Sequence, residues 1–458
     1  MSNIAEQFSA YTSAIDYDAL PDAVVHEVKR RVIDSLACAF GAWSSGPAQI
    51  VRDQALAMTP NPGSSGATVL GTNHKTSPDL AAFANGTMIR YLDFNDTYLS
   101  KEPAHPSDNI SAALACAEAA GRSGADLITA IAIAYEIQCR LCDAASLRAH
   151  GWDHVTYGNF SATCASAKLL GLSEIETMHS LGIAGVAHNA LRQTRAGALS
   201  SWKACAFANA ARNGVFSAML ANRGMTGPAP IFEGIFGIQT VMVGEFDIPS
   251  LYSNETDISF KILEGYIKYY PVEYHAQSAV AAALEVCGRI MTLDDIKQVD
   301  VHSHDAAVDI IGSEPEKWRP TTRETADHSL PYIVAAALMD RTVTLDTFEP
   351  SRFRDPKLIE FVQKVKVYRD ERLSSLYPNS IANRVTIVIQ SGEEITAEVI
   401  DPRGHPNNPM TDAEVEQKFR TMTSGLLPGN RCDEALARLW KLEEMADASD
   451  VVKLFGDL

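Results

Sequence analysis

Ser111-Ala-Ala-Leu-Ala-Cys-Ala-Glu-Ala-Ala120 sets the texture of the first half of this 458-residue chain. Alanine is the strongest helix former, and its small side chain lets neighbouring helices approach closely. The stretch therefore predicts a helix buried among other helices. Towards the N-terminus, Pro21 suits a first helical turn. After it Val24, Val25, Val28, Val32, Leu36 and Phe40 recur at three- and four-residue spacing, up to the glycines Gly41 and Gly46. Similar periodicity predicts helices over roughly 108–120, 124–145, 158–171, 173–190 and 200–223. A compact bundle follows for residues 1–268.

Beyond about residue 270 the pattern changes. Ile296-Lys-Gln-Val299-Asp-Val301-His-Ser alternates apolar and polar residues, as a half-buried strand does. Arg384-Val-Thr-Ile-Val-Ile389 and Ile395-Thr-Ala-Glu-Val-Ile400 flank Ser391-Gly392-Glu393 and predict a β-hairpin. Helices are expected from Leu330 to Met339 and from Pro356 to Val365, and again from Thr411 to about Leu442. The expected fold is mainly α with an α+β part. A helical domain covers 1–268, a smaller α+β domain 269–403, and residues 404–458 return to the helical domain. A chain of this length exceeds one compact core.

Composition narrows the function. The apolar fraction of 46% is that of a globular protein, and no stretch of about 18 residues is uninterruptedly apolar. The start, Met1-Ser-Asn-Ile-Ala-Glu-Gln, lacks the basic and apolar blocks of a secretory signal. Eight cysteines are scattered through apolar runs, which reads as buried thiols in a reducing, cytoplasmic setting. A formal charge of −18 argues against nucleic-acid binding by a broad basic surface, and the lack of a long apolar stretch against a membrane partner. An acidic protein that takes an anionic ligand must gather its cations locally, so cation clusters carry unusual weight.

The densest chemistry lies in Arg90-Tyr-Leu-Asp93-Phe-Asn95-Asp96-Thr97 and, a few residues on, His105-Pro-Ser-Asp108-Asn109. This polar, proline-bearing run reads as a loop between helices, where reactive groups concentrate. Four further segments supply cations or imidazoles: Gly151-Trp-Asp-His154, Leu191-Arg192-Gln-Thr-Arg195 with Trp202-Lys203, Lys268-Tyr-Tyr-Pro-Val-Glu-Tyr-His275, and Arg323-Glu-Thr-Ala-Asp327-His328-Ser329. Lys203 sits among apolar residues, which points to a buried ammonium. In the last segment Asp, His and Ser are helix-capping types first and catalytic candidates second. Other motifs read as structural. Cys139-Arg-Leu-Cys142 lacks a second pair for zinc, and no cysteine set has iron–sulfur spacing. His302 and His304 are expected on a solvated strand face. Gly182/Gly185 and Gly224/Gly227 lack the strand–turn–helix context of a nucleotide loop.

Taken with Asn209-Ala-Ala-Arg-Asn213-Gly, Met225-Thr-Gly-Pro-Ala-Pro-Ile-Phe-Glu233-Gly, Tyr270-Pro-Val-Glu-Tyr-His275 and Arg323-Glu-Thr-Ala-Asp-His328-Ser-Leu-Pro-Tyr332, these segments resemble the MmgE/PrpD family over nearly the whole chain. That family holds 2-methylcitrate dehydratases, cis-aconitate decarboxylases and an iminodisuccinate epimerase. The resemblance implies a helical domain with a smaller α+β lid, a homodimer, and catalysis with neither metal nor cofactor. It places active-site residues on Asp93, Thr97, His105, His154, Lys203, Lys268 and His275. A tyrosine used by decarboxylase members falls near Trp318 here, and Asn95 with His105-Pro-Ser-Asp108 leans towards the dehydratase branch.

Dehydrating 2-methylcitrate or citrate removes a proton beside a carboxylate and expels a tertiary hydroxyl. Lys203, Lys268, Arg192, His154 and His275 are expected to meet the trianionic substrate. Asp93 and His105 are expected to move the protons, with Thr97 orienting the substrate and Lys203 anchoring a carboxylate or assisting the leaving hydroxyl. Which group is base and which acid stays open at this level. Asp96 and Asp108 are expected to hold the loop's shape. The competing readings are a decarboxylase forming itaconate, an epimerase or isomerase of a small dicarboxylate, and a non-catalytic helical scaffold.

Overall fold

Small residues at helix contacts shape the first part of the molecule. The structure, a computed structural model, describes residues 3–58, 65–197, 199–248, 251, 260–290 and 292–458. The chain forms two compact units. The first comprises residues 1–196, 201–265 and 411–458, and the second residues 197–200 and 266–410.

In the first unit the helices are α1 (Ile4–Ala14), α2 (Asp22–Gly41), α3 (Gly46–Leu56), α4 (Pro78–Tyr91), α5 (Ile110–Ala119), α6 (Gly124–Ala144), α7 (Val155–Leu170), α8 (Glu174–Ala187) and α9 (Trp202–Ala221). Three more, Asp412–Thr423, Gly429–Leu439 and Ser449–Lys453, come from the C-terminal segment. Helix α9 packs against both α4 and α7. The α7 contact is tight because glycine faces it from both sides. A Cβ on Gly158 of α7 would stand 2.2 Å from the Phe207 ring, and one on Gly214 of α9 2.8 Å from the Thr163 nitrogen. In an adjoining core the Phe232 ring packs edge-on to Phe8 and tilted against Phe160, with centroids 5.7 and 4.6 Å apart. The helical expectation missed a two-stranded antiparallel ribbon, β1 (Ala67–Thr68) with β2 (Lys75–Thr76). Two-residue strands are too short for alternation to register.

Not everything in the helical core is apolar. On α2, Arg31 and Asp34 are buried, and Lys418 from Asp412–Thr423 reaches Asp34 at 2.6 Å. Desolvation pushes the Asp34 carboxyl up, and Lys418 opposes it.

The second unit is an α+β layer. Its sheet runs β4–β3–β5–β6, with β3 (Ile296–Ser303) parallel to β4 (Val365–Arg369) and antiparallel to β5 (Asn383–Ile389), which forms a hairpin with β6 (Glu394–Val399). Gly392 takes φ +89° in the hairpin turn, a region that suits glycine. Inward residues of β3 and β5, among them Val299, Val301, Val385 and Ile387, pack under α10 (Gln277–Cys287) and the helix Leu330–Asp340. Two expectations are corrected. The predicted helix 356–365 ends at Val362, and Val365 opens the parallel edge strand β4. His304 is not on a solvated face: β3 ends at Ser303 and alternation stops, so His304 is fully buried and stacks 5.0 Å from the Tyr377 ring.

The close α7–α9 contact yields a stability prediction. Gly158→Ala is expected to cost about 1–3 kcal/mol, because Phe207 cannot yield without displacing packed neighbours. Gly46→Ala, where a Cβ meets nothing within 4 Å, is expected to stay within about 0.5 kcal/mol of the parent. Chemical denaturation of both variants measures the contrast.

Candidate active site

The loop between α4 and α5 adopts a conformation that few non-glycine residues accept. Asp93 has φ +51°, a left-handed geometry that costs on the order of 1–3 kcal/mol. Its carboxylate is gripped from two sides: one oxygen meets Arg90 at 2.6 Å and the other Lys203 at 2.8 Å. Asp93, Arg90 and Lys203 are all buried. One residue on, the Phe94 carbonyl accepts from Lys418 Nζ at 2.7 Å, and that ammonium stands 3.6 Å from the Phe94 ring centre.

The rest of the loop is braced from within. Asp96 accepts from the Ser107 backbone N–H (3.0 Å) and the Tyr135 hydroxyl (2.5 Å), and Arg31 lies 3.6 Å away. Asn95 donates to Ser107 Oγ (2.9 Å) and to Asp108 (2.8 Å). A single bridge between Tyr98 and Ala104 closes the intervening turn. Asp96 and Asp108 thus hold the loop as expected, although Asp108 does so through side chains rather than backbone. His105 Nδ1 lies 2.6 Å from the Asp96 carbonyl and 3.3 Å from Thr97 Oγ1. A carbonyl only accepts, so Nδ1 carries the proton and Nε2 the lone pair.

A second imidazole faces the first. His154 precedes α7, and its ring centroid is 5.8 Å from that of His105. Its Nδ1 meets Asp153 at 3.0 Å, and the other Asp153 oxygen meets Arg195 Nε at 3.0 Å. The backbone of this corner is tied to the 191–195 turn, since Asp153 N donates to the Ala190 carbonyl (2.8 Å) and Arg192 N to the Gly151 carbonyl (3.0 Å). Burial lowers the His154 pKa, with Asp153 opposing. Burial also works against the Asp153 carboxylate, but Arg195 and His154 hold it well below the usual range.

Lys203, in the first turn of α9, joins the loop to the helix core. Within the first unit Thr97, half-buried His105 and buried His154 form one cluster, and the buried Lys203–Asp93 pair involves the same loop. Arg192 does not join it: its guanidinium makes no ion pair among the described residues, and Arg195, three residues on, engages Asp153 instead. Lys268 and His275 belong to the second unit, where both are buried. His275 N donates to Glu273 (2.8 Å), and its ring packs edge-on to His304 at 5.0 Å. Asp327 and His328 pair at 2.5 Å, while Ser329 caps the helix Leu330–Asp340 through the Tyr332 N–H. Sequence reasoning gave no role to Arg90, Arg31, Tyr135, Asp153 or Lys418. Arg31 had a signal, because it falls on the apolar Val24–Val28 stripe of α2 where a charge needs a partner.

Burial also leaves two carboxyls titrating late. Desolvation pushes Asp108 up to about 7 despite Arg90, and Glu102 up to about 7 despite the Arg148 N–H and Ser146 hydroxyl it accepts from. A folded pKa above the unfolded one means the native state binds more protons between the two values, so stability falls as pH rises through that window. For Glu102 the window runs from 4.5 to about 7. Glu102→Gln is expected to remove a loss of at most about 3 kcal/mol. Unfolding free energies measured at pH 5 and pH 8 should differ less in the variant than in the parent.

Residues 6–250 match the MmgE/PrpD N-terminal domain and residues 270–442 the MmgE/PrpD C-terminal domain. A 2-methylcitrate dehydratase of Cupriavidus necator is 30% identical, over 89% of this chain and 87% of its own. One from Escherichia coli K12 is also 30% identical, over 74% of each. The human cis-aconitate decarboxylase is 26% identical, over 99% of this chain and 95% of its own. Both halves of the family pattern are present in order, and the chain belongs to the MmgE/PrpD family.

Proposed function

We propose that this chain is a hydro-lyase that dehydrates 2-methylcitrate, and citrate as a secondary substrate, to the aconitate-type alkene. One observation carries the chemistry: two imidazoles, half-buried His105 and buried His154, face each other with ring centroids 5.8 Å apart, in the same unit as the buried Lys203–Asp93 pair. Elimination of water needs one group to accept the proton from carbon and another to donate one to the departing hydroxyl. The electron pair of the broken C–H bond becomes the new double bond, and the hydroxyl leaves as water. Each imidazole is well placed to accept or donate. Lys203 and Arg90 stabilise charge that builds on the carboxylate beside the acidic carbon, with Asp93 fixing both cations. Thr97 orients the substrate, and Arg192 is assigned to a further carboxylate.

The 30% identical dehydratases support this choice of substrate. Trp318 supports dehydration over decarboxylation, since its indole N–H is spent on the Val365 carbonyl at 2.9 Å. NMR of the products from 2-methylcitrate, citrate and cis-aconitate tests the proposal. The expected outcome is the alkene from 2-methylcitrate, unaffected by a chelator. Itaconate from cis-aconitate, or α-proton exchange without loss of water, overturns it. His105→Ala and Lys203→Met are each expected to lower turnover by about 10²–10⁴-fold.

The reading includes a homodimer acting in the cytoplasm. Eight buried free cysteines fit a reducing setting, and among the described residues no helix is long and apolar enough to cross a membrane. A surface for a second copy is offered by α8 and residues 225–241. Ile175, Val186, Met225 and Val241 are exposed there, and Ile235 and Phe236 are 82% and 84% accessible. Light scattering is expected to give a dimer mass, shifted towards monomer by Phe236→Asp; a monomeric parent contradicts it.

A further inference from the structure

The helix Asp412–Thr423 turns Val415, Lys418, Phe419 and Thr423 inward. A cation on the buried face of a helix is costly unless it finds partners, so what Lys418 meets is informative. Its ammonium reaches the Asp34 carboxylate at 2.6 Å. It also donates to the Phe94 carbonyl at 2.7 Å, with the Phe94 ring centre 3.6 Å away. Asp34 and Phe94 are both buried. A lysine recruited merely to neutralise Asp34 has no need of a backbone carbonyl in the loop between α4 and α5. One turn further along, Met422 borders Gly41 of α2 together with Leu92: a Cβ on Gly41 would lie 2.8 Å from Met422 Sδ and 2.9 Å from Leu92 Cδ1. The same helix thus stands behind the residues on both sides of Asp93.

The residue between them is the strained one. Asp93 holds φ +51°, and such a conformation persists only where the surroundings over-determine it. Arg90 and Lys203 fix its carboxylate at 2.6 and 2.8 Å, but those contacts act on the side chain. Lys418 acts on the backbone. Its bond to the Phe94 carbonyl fixes the peptide plane after Phe94, and its contact with the ring fixes the side chain of the same residue. We infer that Lys418 is a positioning residue, which locks the backbone beyond Asp93 so that the Asp93 carboxylate keeps the Lys203 and Arg90 cations aimed. Without that hold Asp93 relaxes to an ordinary φ, its carboxylate withdraws, and the two cations lose their orientation. The kinetic consequence rests on the dehydratase reading above, which gives those cations their task.

Two variants separate this role from charge pairing. Lys418→Met and Asp34→Asn each break the buried ion pair, but Lys418→Met also removes the donor to Phe94. With 2-methylcitrate, Lys418→Met is expected to lower kcat by about 10–100-fold and to change KM less than about threefold, because the cations stay in place but are misaimed. Asp34→Asn is expected to keep kcat within about threefold of the parent. Lys418→Arg, which can still donate to the carbonyl, is expected to recover part of the rate. If Lys418→Met does not fold, the double variant Asp34→Leu/Lys418→Met, which removes both charges of the pair, carries the same expectation.

A second readout needs no substrate. Hydrogen exchange of the full chain, followed by mass spectrometry, is expected to show the amides of residues 93–98 exchanging at least about tenfold faster in Lys418→Met than in the parent. The same amides are expected to be unchanged in Asp34→Asn, and those of α7 in both variants. Equal losses of turnover in Lys418→Met and Asp34→Asn, or an unchanged loop exchange rate in Lys418→Met, overturn the inference. A parent that dehydrates no tricarboxylate refutes the function instead, and the exchange contrast then decides the role of Lys418 by itself.

Discussion

The ion pair between Lys203 and Asp93 is the constraint on which the site depends. Bringing both charges out of water costs several kcal/mol each, and only close geometry with further partners recovers it. Arg90 supplies that further partner at 2.6 Å. The pair joins the start of α9 to the loop after α4, so helix packing and loop conformation become one problem. It also holds Asp93 in a backbone region that few aspartates occupy. In a chain with a formal charge of −18, these cations are held within an otherwise acidic loop.

Around that anchor, environment separates chemically identical groups. Asp108 and Asp153 are both buried carboxyls, yet one is pushed up to about 7 and the other is held well below the ordinary range. The difference lies in partners. Asp153 has a guanidinium at hydrogen-bond distance, whereas Arg90 stands 3.6 Å from Asp108 and is shared with Asp93. Pairs of titratable groups pushed apart by their surroundings are how one fold runs acid and base chemistry side by side.

Much of this was legible in the sequence. Period and alanine content gave the helices, and alternation gave β3 and the β5–β6 hairpin. The polar run from Asp93 to Asp108 identified the loop, and an isolated lysine among apolar residues identified Lys203. Strand β4 was missed because Val362 and Val365 continue a helical spacing across the helix end. His304 was misread because periodicity says nothing about where a strand stops. The pairing of Arg195 with Asp153 left no trace, since neighbouring cations on one turn differ only in which way the turn aims them. Lys418 lies 324 residues from Phe94, and pairings at such separation leave no local trace.

That same contact between Lys418 and the loop bears on the order of events at the ribosome. The chain is made from the N-terminus at about 5–20 residues per second, so α2, α4 and α9 are available long before residue 418 emerges. Until then the Phe94 carbonyl and the Asp34 carboxylate lack the ammonium that both use. A nascent chain can assemble these helices and still hold an unfinished loop, which closes only once residue 418 folds back onto it.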